Sequence, residues 1–165
     1  MCLVEKVLEI ADKAVQDHGF FSIGISGGSV AKILCSGLVE SIVDWTKWRV
    51  FFCDERHVPL DIAESTYNLY NAEWFKKIDF PDENVFKINP DVTVDEAAED
   101  YIAKIRTVFP GDAIPSLDFV LLGMGPDGHT CSLFPGHPGL EETSKLVIPI
   151  PDLSLIHISE PTRPY

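Results

Sequence analysis

Short apolar segments alternate along this chain with segments whose apolar residues recur every three or four positions. The apolar segments, at residues 20–25, 48–53, 85–88, 117–122 and 146–150, predict buried strands. The periodic segments, at residues 3–17, 30–40, 66–77 and 94–109, predict helices. This alternation predicts an α/β fold: a doubly wound, mostly parallel, Rossmann-like sheet with helices on both faces.

Capping residues mark several of the predicted helix ends. Gly19 is placed to stop the first helix, and Ser65 is placed to cap the third. The segment Thr93-Val94-Asp95-Glu96 matches a capping box, in which the side chains at its two ends bond each other's backbone N–H groups. These local signals support the boundaries that the periodicity suggests.

Composition narrows the class of protein. The 165 residues are 45% hydrophobic, with a mean hydropathy of +0.09, which is typical of one globular domain. A formal net charge of −13 argues against nucleic-acid binding, which needs a basic face. The four cysteines lack CxxC spacing and predict reduced thiols rather than a disulfide framework or a zinc site. Since no apolar run resembles a signal peptide or a membrane span, we expect a cytoplasmic protein without a membrane partner.

The turn Ser26-Gly27-Gly28-Ser29 joins the first predicted strand to the second predicted helix. Backbone N–H groups at such a helix start can hold a phosphate or a carboxylate, so Gly27, Gly28 and Ser29 are candidate substrate-binding residues. The spacing matches neither the P-loop nor the dinucleotide fingerprint. The alternative is a tight turn that needs glycine only for its backbone dihedral angles.

Three charged residues, Asp54-Glu55-Arg56, follow the second buried strand. Arg56 can neutralise an anionic group through a forked hydrogen bond, and either acid can contact hydroxyl groups or orient a base. We therefore treat Asp54 and Arg56 as candidate substrate-binding residues. The alternative is an ion-paired strand end without chemistry. His57 is interpreted as a surface loop residue.

Asp127 and His129 lie in a glycine-rich bend, residues 123–130, directly after the last strongly apolar segment. In a parallel sheet, the carboxyl end of a strand is where a ligand crevice forms. A histidine one residue removed from a carboxylate is a candidate general base with its orienting partner, and Gly125 is a candidate binding residue. The alternatives are a structural loop histidine and a Cys–His pair in which Cys131 is the nucleophile.

The last thirteen residues, Leu153 to Tyr165, break the alternation of strands and helices. They contain two prolines and no helical period. We interpret residues 1–152 as one domain and residues 153–165 as a non-native or disordered tail that resembles a cloning or adaptor read-through.

Four collinear motifs resemble the 6-phosphogluconolactonase family. They are Ser26-Gly27-Gly28-Ser29, Cys53-Asp54-Glu55-Arg56-His57-Val58-Pro59, Glu64-Ser65-Thr66-Tyr67-Asn68-Leu69-Tyr70 and the long segment from Gly123 through His129 to Pro135. The related glucosamine-6-phosphate deaminases share the Asp-Gly-His element, but their pattern has Tyr in place of Arg56 and Ile in place of Thr130. The lactonase branch is therefore favoured.

The resemblance implies a hydrolase of the pentose phosphate pathway that opens 6-phospho-D-glucono-1,5-lactone to 6-phosphogluconate. It implies that His129 is the general base, that Asp127 orients it, and that Gly27, Gly28, Ser29 and Arg56 hold the substrate. It also implies no metal or organic cofactor, a phosphosugar lactone as the small-molecule partner, and a monomer in the complete protein.

The family continues well beyond Asp152, with further strands and basic residues that help to bind the phosphate. We therefore expect a sheet that is incomplete at the C-terminus and a 165-residue chain that is poorly folded or inactive. Two other functions stay open: a sugar-phosphate isomerase or deaminase, and a non-catalytic sugar-phosphate-binding fragment.

Overall fold

A parallel sheet of four strands forms the centre of the computed structural model, which describes residues 2–111, 113–150 and 155–158. In chain order the helices and strands are α1 (Leu3–His18), β1 (Phe21–Ile25), α2 (Ser29–Val39), β2 (Trp48–Phe52), β3 (Asp54–Arg56), α3 (Thr66–Glu73), β4 (Val85–Phe86), α4 (Val94–Val108), β5 (Phe119–Leu121), β6 (Val147–Ile150) and β7 (Leu155–Ile158). Short 3₁₀ turns at Trp45–Lys47, Phe75–Lys77, Asp82–Asn84 and Pro138–Glu141 complete them.

The central sheet has the strand order β4-β2-β1-β5, and its pairings are parallel. Ile25 pairs with Phe52 on one side and with Leu121 on the other. The carboxyl ends of these three strands are therefore level, and the three loops that follow them leave the sheet at one edge. This register is what brings together motifs that lie far apart in sequence.

Alternate side chains of β2 enter two different hydrophobic clusters, as the two-residue period of a strand requires. Val50 and Phe52 belong to the cluster that includes buried residues of α1, α2 and α3. Phe51 belongs to a second cluster that includes Tyr101 of α4. Helices therefore cover both faces of the sheet, and the predicted doubly wound α/β class is confirmed.

The predicted helix ends are also found. Gly19 adopts the left-handed conformation (φ 93°) that ends α1. Ser65 caps α3, and Thr93 and Glu96 form the reciprocal capping box of α4. The helix predicted to reach residue 77 instead ends at Glu73 and continues as a 3₁₀ turn, next to Trp74, which is fully buried among aromatic rings.

Two strand predictions need correction. The segment at residues 117–122 forms a strand only over Phe119–Leu121, and Leu122 is half exposed, because β5 is an edge strand of the central sheet within the described residues. The strand predicted over residues 48–53 ends at Phe52, and Asp54–Arg56, for which no strand of its own was predicted, forms a short strand of a second, antiparallel sheet with the order β3-β7-β6.

The predicted boundary at residue 152 stays a prediction. Within the predicted tail, the structure describes β7, which pairs antiparallel with β3 and β6. Residues 153–154 and 159–165 lie outside the described part of the chain.

Candidate functional site

The three loops at the carboxyl edge of the central sheet enclose a cleft of about 580 Å³. Its lining comprises Ser26, Gly27, Gly28, Ser29, Val30, Asp54, Arg56, Ala63, Glu64, Ser65, Thr66, Leu69, Gly123, Met124, Gly125, His129, Cys131, Ser132 and Phe134. With one exception, the predicted site residues line this cleft. The exception, Asp127, is hydrogen-bonded to His129 instead.

The glycine turn supplies one wall. Gly28 is the N-cap of α2 and has φ 97°, a left-handed value that side chains rarely adopt. Its cap position carries no side-chain hydrogen bond, so the start of α2 is closed by backbone alone. Because the first N–H groups of a helix have no partner within the helix, this turn presents the donor-rich end of α2 to the cleft.

The imidazole of His129 also lines the cleft, and three neighbouring residues fix its position. Its Nδ1 lies 2.5 Å from Oδ1 of Asp127, and its ring stacks on Phe134 with centroids 4.6 Å apart. A Cβ atom at Gly125 would lie 2.2 Å from the His129 ring, so only glycine permits this approach. Gly125 therefore acts by leaving space, a role that its assignment as a binding residue did not anticipate.

The Asp127 carboxylate is exposed, and the hydrogen bond from His129 lowers its pKa. An ionised Asp127 accepts the Nδ1 proton and selects the tautomer in which Nε2 of His129 carries a lone pair. The other imidazole nitrogen is thus prepared to accept a proton, while about a third of the His129 side chain remains exposed.

Two residues of β3, Asp54 and Arg56, line the cleft. Asp54 accepts a hydrogen bond of 2.9 Å from Oγ of Ser132, and burial raises the pKa of its carboxyl. Arg56 is exposed and also lines the cleft. Asp54 and Arg56 therefore both line the cleft from β3, and their binding roles stay predictions.

Glu55 has a role that the motif did not distinguish from that of its neighbours. It is 1% exposed, and its carboxylate accepts N–H groups of Arg56, Thr66 and Tyr67 at 2.7–2.9 Å. Thr66 and Tyr67 are the first residues of α3, so Glu55 closes the start of that helix. The signal that identifies it is positional: a strand alternates its side chains, so Glu55 points away from the cleft that its neighbours line.

His57 is partly buried rather than a surface residue, and its Nε2 is buried without a hydrogen-bond partner among the described residues. In the ranges 2–111 and 113–150, no helix is long and apolar enough to cross a membrane. The same part of the chain contains no group of at least three His, Cys, Asp or Glu side chains that could hold a metal ion.

Fold and cleft together define an α/β protein with a cleft at the carboxyl ends of parallel strands, where proteins of this class bind their ligands. A family model described as glucosamine-6-phosphate isomerases/6-phosphogluconolactonase matches residues 1–161. The chain belongs to this family.

Curated relatives agree with this membership. A 6-phosphogluconolactonase of Rattus norvegicus is 48% identical over 141 residues, which are 82% of this chain and 55% of the relative. One of Homo sapiens is 48% identical over 80% of this chain and 53% of the relative. The chain thus spans about half the length of the curated relatives it matches.

Solved structures show the same fold. A 6-phosphogluconolactonase of Thermotoga maritima superposes with a TM-score of 0.82 at 26% identity, covering 95% of this chain and 71% of the other. One from Trypanosoma cruzi gives a TM-score of 0.78 at 31% identity, covering 94% and 68%.

Proposed function

We propose that this chain carries the hydrolytic site for 6-phospho-D-glucono-1,5-lactone, which it opens to 6-phosphogluconate. One observation carries the proposal: an imidazole oriented by a carboxylate lines the same cleft as a helix start and an arginine. The pair can activate water, and the helix start and the arginine can hold an anion. The relatives named 6-phosphogluconolactonase support this choice of substrate.

In the proposed reaction, Nε2 of His129 accepts a proton from a water molecule while the oxygen of that water attacks C1 of the lactone. The carbonyl oxygen becomes an oxyanion. When the tetrahedral intermediate collapses, the bond from C1 to the ring oxygen breaks, and the imidazolium returns the proton to that oxygen. The product is an open-chain acid, and His129 is neutral again. A base positioned in this way contributes about 10²–10⁴-fold to the rate.

The donor-rich wall orients the substrate in this proposal. Gly27, Gly28 and Ser29 offer backbone N–H groups, and Arg56 offers a guanidinium in a chain whose net charge is −13. Holding the remote phosphate aligns the lactone carbon with His129, so that binding energy lowers the barrier of the chemical step. Asp54 contacts substrate hydroxyl groups in this arrangement.

The test is lactone turnover, followed as acid release. We expect His129→Ala to lower kcat by about 10²–10⁴-fold and to leave 6-phosphogluconate binding within about twofold. His18→Gln is the control, since His18 pairs with Asp118 next to the amino end of β1. Near-wild-type turnover in His129→Ala would remove His129 from the mechanism.

Because the chain spans about half of its curated relatives, two proteins enter the assay. One is the 165-residue chain, which we predict to be inactive or poorly folded. The other fuses residues 1–150 to the C-terminal part of the rat relative. Turnover of glucosamine 6-phosphate instead of the lactone would favour the deaminase alternative, and saturable phosphosugar binding by a folded fusion without any turnover would favour a binding module. Cytoplasmic location and a monomeric state also remain predictions.

A further inference from the structure

The loop that carries His129 is bonded mainly to itself. Thr130 donates its hydroxyl to the carbonyl of Gly123, and the N–H of Gly125 donates to the carbonyl of His129. Thr130 and Leu133 exchange backbone hydrogen bonds with one another. These contacts give the loop a shape but do not determine where it lies relative to the rest of the cleft.

Side chains of the loop contact β3 at Asp54, whose carboxyl interacts with Cys131 as well as with Ser132. Oγ of Ser132 donates to Oδ2 of Asp54 at 2.9 Å, across 78 positions of sequence. Ser132 is 1% exposed, and burial raises the pKa of Asp54 while the hydrogen bond from Ser132 lowers it. The other carboxylate oxygen, Oδ1, is buried and meets no hydrogen-bond partner in the described ranges.

The backbone between His129 and Ser132 is strained. Cys131 has φ 49°, the left-handed region that residues with a side chain seldom occupy. Such a conformation persists only where surrounding contacts hold it. The buried hydrogen bond of Ser132 immediately follows this residue, so it is placed to hold the strained segment and the imidazole three residues away.

We propose that Ser132 is a positioning residue: through Asp54 it ties the His129 loop to β3 and sets the position of the imidazole in the cleft. The inference rests on the proposed function, because positioning His129 matters only if His129 is the general base. The contact between Ser132 and Asp54, which we call the tether, can be tested without turnover. Ser132 does not react, and its hydroxyl remains bonded to Asp54 throughout.

The experiment measures amide hydrogen exchange of residues 123–134 and the ¹⁵N chemical shifts of His129, both in the 165-residue chain and in the fusion that carries residues 1–150. We expect Ser132→Ala and Asp54→Ala each to speed exchange of the loop by about tenfold, because each removes a buried hydrogen bond to a carboxylate. The double variant should exchange no faster than Asp54→Ala alone, since that variant already removes the contact between Ser132 and Asp54.

Asp54→Asn is the conservative variant, because its side-chain oxygen can still accept the Ser132 hydroxyl. It should keep slow loop exchange and wild-type His129 shifts, whereas Ser132→Ala should move those shifts toward the values of an unconstrained imidazole. Ser144→Ala is the matched control, since the Ser144 hydroxyl bonds only the nearby Glu142 among the contacts described and does not line the cleft.

Additive effects of the two alanine variants, or unchanged loop exchange in Ser132→Ala, would overturn the tether. Unchanged His129 shifts in Ser132→Ala would show that the contact is structural only, which also overturns the inference. A tether that behaves as expected in a protein that never hydrolyses the lactone would instead contradict the proposed function. In an active fusion, Ser132→Ala should lower kcat by about tenfold with KM within about twofold, because the imidazole is misplaced while the anion wall is intact.

Discussion

The carboxylates of β3 and the carboxylate of the loop that carries His129 lie in contrasting environments. On β3, burial raises the pKa values of Asp54 and Glu55, and the second of these is almost fully covered. On the loop, Asp127 is exposed and its pKa is lowered by the hydrogen bond from His129. The β3 acids are bonded to backbone N–H groups and a serine, whereas Asp127 is bonded to a base.

This contrast distinguishes a carboxylate that stabilises the fold from a carboxylate that takes part in the proposed reaction. A buried carboxylate that caps a helix holds two elements together and gains nothing from contact with solvent. A carboxylate that orients a general base must stay ionised, and exposure favours that state. We therefore expect changes on the loop to affect turnover first and changes on β3 at Glu55 to affect stability first.

The largest expected effect follows from Asp127→Asn. An amide at this position no longer favours the tautomer of His129 in which Nε2 can accept a proton, so we expect kcat of an active fusion to fall by about 10³-fold. Steady-state kinetics and thermal unfolding should be measured together. If the unfolding temperature fell enough to explain the lost turnover, Asp127 would act through stability, and the distinction between the two kinds of carboxylate would be contradicted.

Glu55→Ala tests the expectation that changes at this position affect stability first. The substitution leaves the N–H groups of Arg56, Thr66 and Tyr67 without their acceptor in a buried place. We expect the free energy of unfolding to fall by about 3 kcal/mol. Urea unfolding monitored by tryptophan fluorescence measures this, since Trp48 and Trp74 lie in the main hydrophobic cluster. Glu64→Ala, at an exposed neighbour, is the control.

The pH dependence of stability should differ in sign between Glu55 and Asp127. The pKa of Glu55 is raised in the folded state, so its contribution to stability is present below its unfolded pKa and is lost as pH rises through the folded value. The pKa of Asp127 is lowered, so its contribution is present above its unfolded pKa and is lost as pH falls through the folded value.

Two isosteric variants measure these signs separately. Relative to the wild type, Glu55→Gln should gain stability as pH rises above about 4, and Asp127→Asn should lose stability as pH rises towards about 4. Urea titrations at several pH values supply the comparison. If the stabilities of the two variants, relative to the wild type, changed with pH in the same direction, the two carboxylates would not differ as proposed.

The smallest effect is expected for Cys131→Ala. Cys131 lines the same cleft as His129. A Cys–His pair in which the Cys131 thiol is the nucleophile is therefore an alternative to the proposed mechanism. In the proposed mechanism water is the nucleophile, so kcat should stay within about threefold of the wild type. Loss of turnover by orders of magnitude, together with a covalent intermediate detected by mass spectrometry of the wild type, would favour the thiol instead.

Local sequence determined most of the secondary structure. Gly19, Ser65 and the Thr93–Glu96 box are short-range signals whose chemistry involves only residues a few positions apart, and each is found at the end that it predicted. The neighbours Asp127 and His129 likewise needed only a tight bend to meet. The alternation of apolar segments and helical periods was sufficient for the α/β class.

Tertiary structure decided what depends on distant partners. The carboxyl ends of β1, β2 and β5 are level, and this brings the three motifs together. No local sequence pattern predicts that register. The burial of Glu55, the antiparallel pairing of Asp54–Arg56 and the bond from Ser132 to Asp54 likewise require segments that are far apart in sequence to meet. The physical reason is that short-range capping and turn preferences act within a few residues, whereas burial and the pKa shifts it causes depend on the whole packed chain.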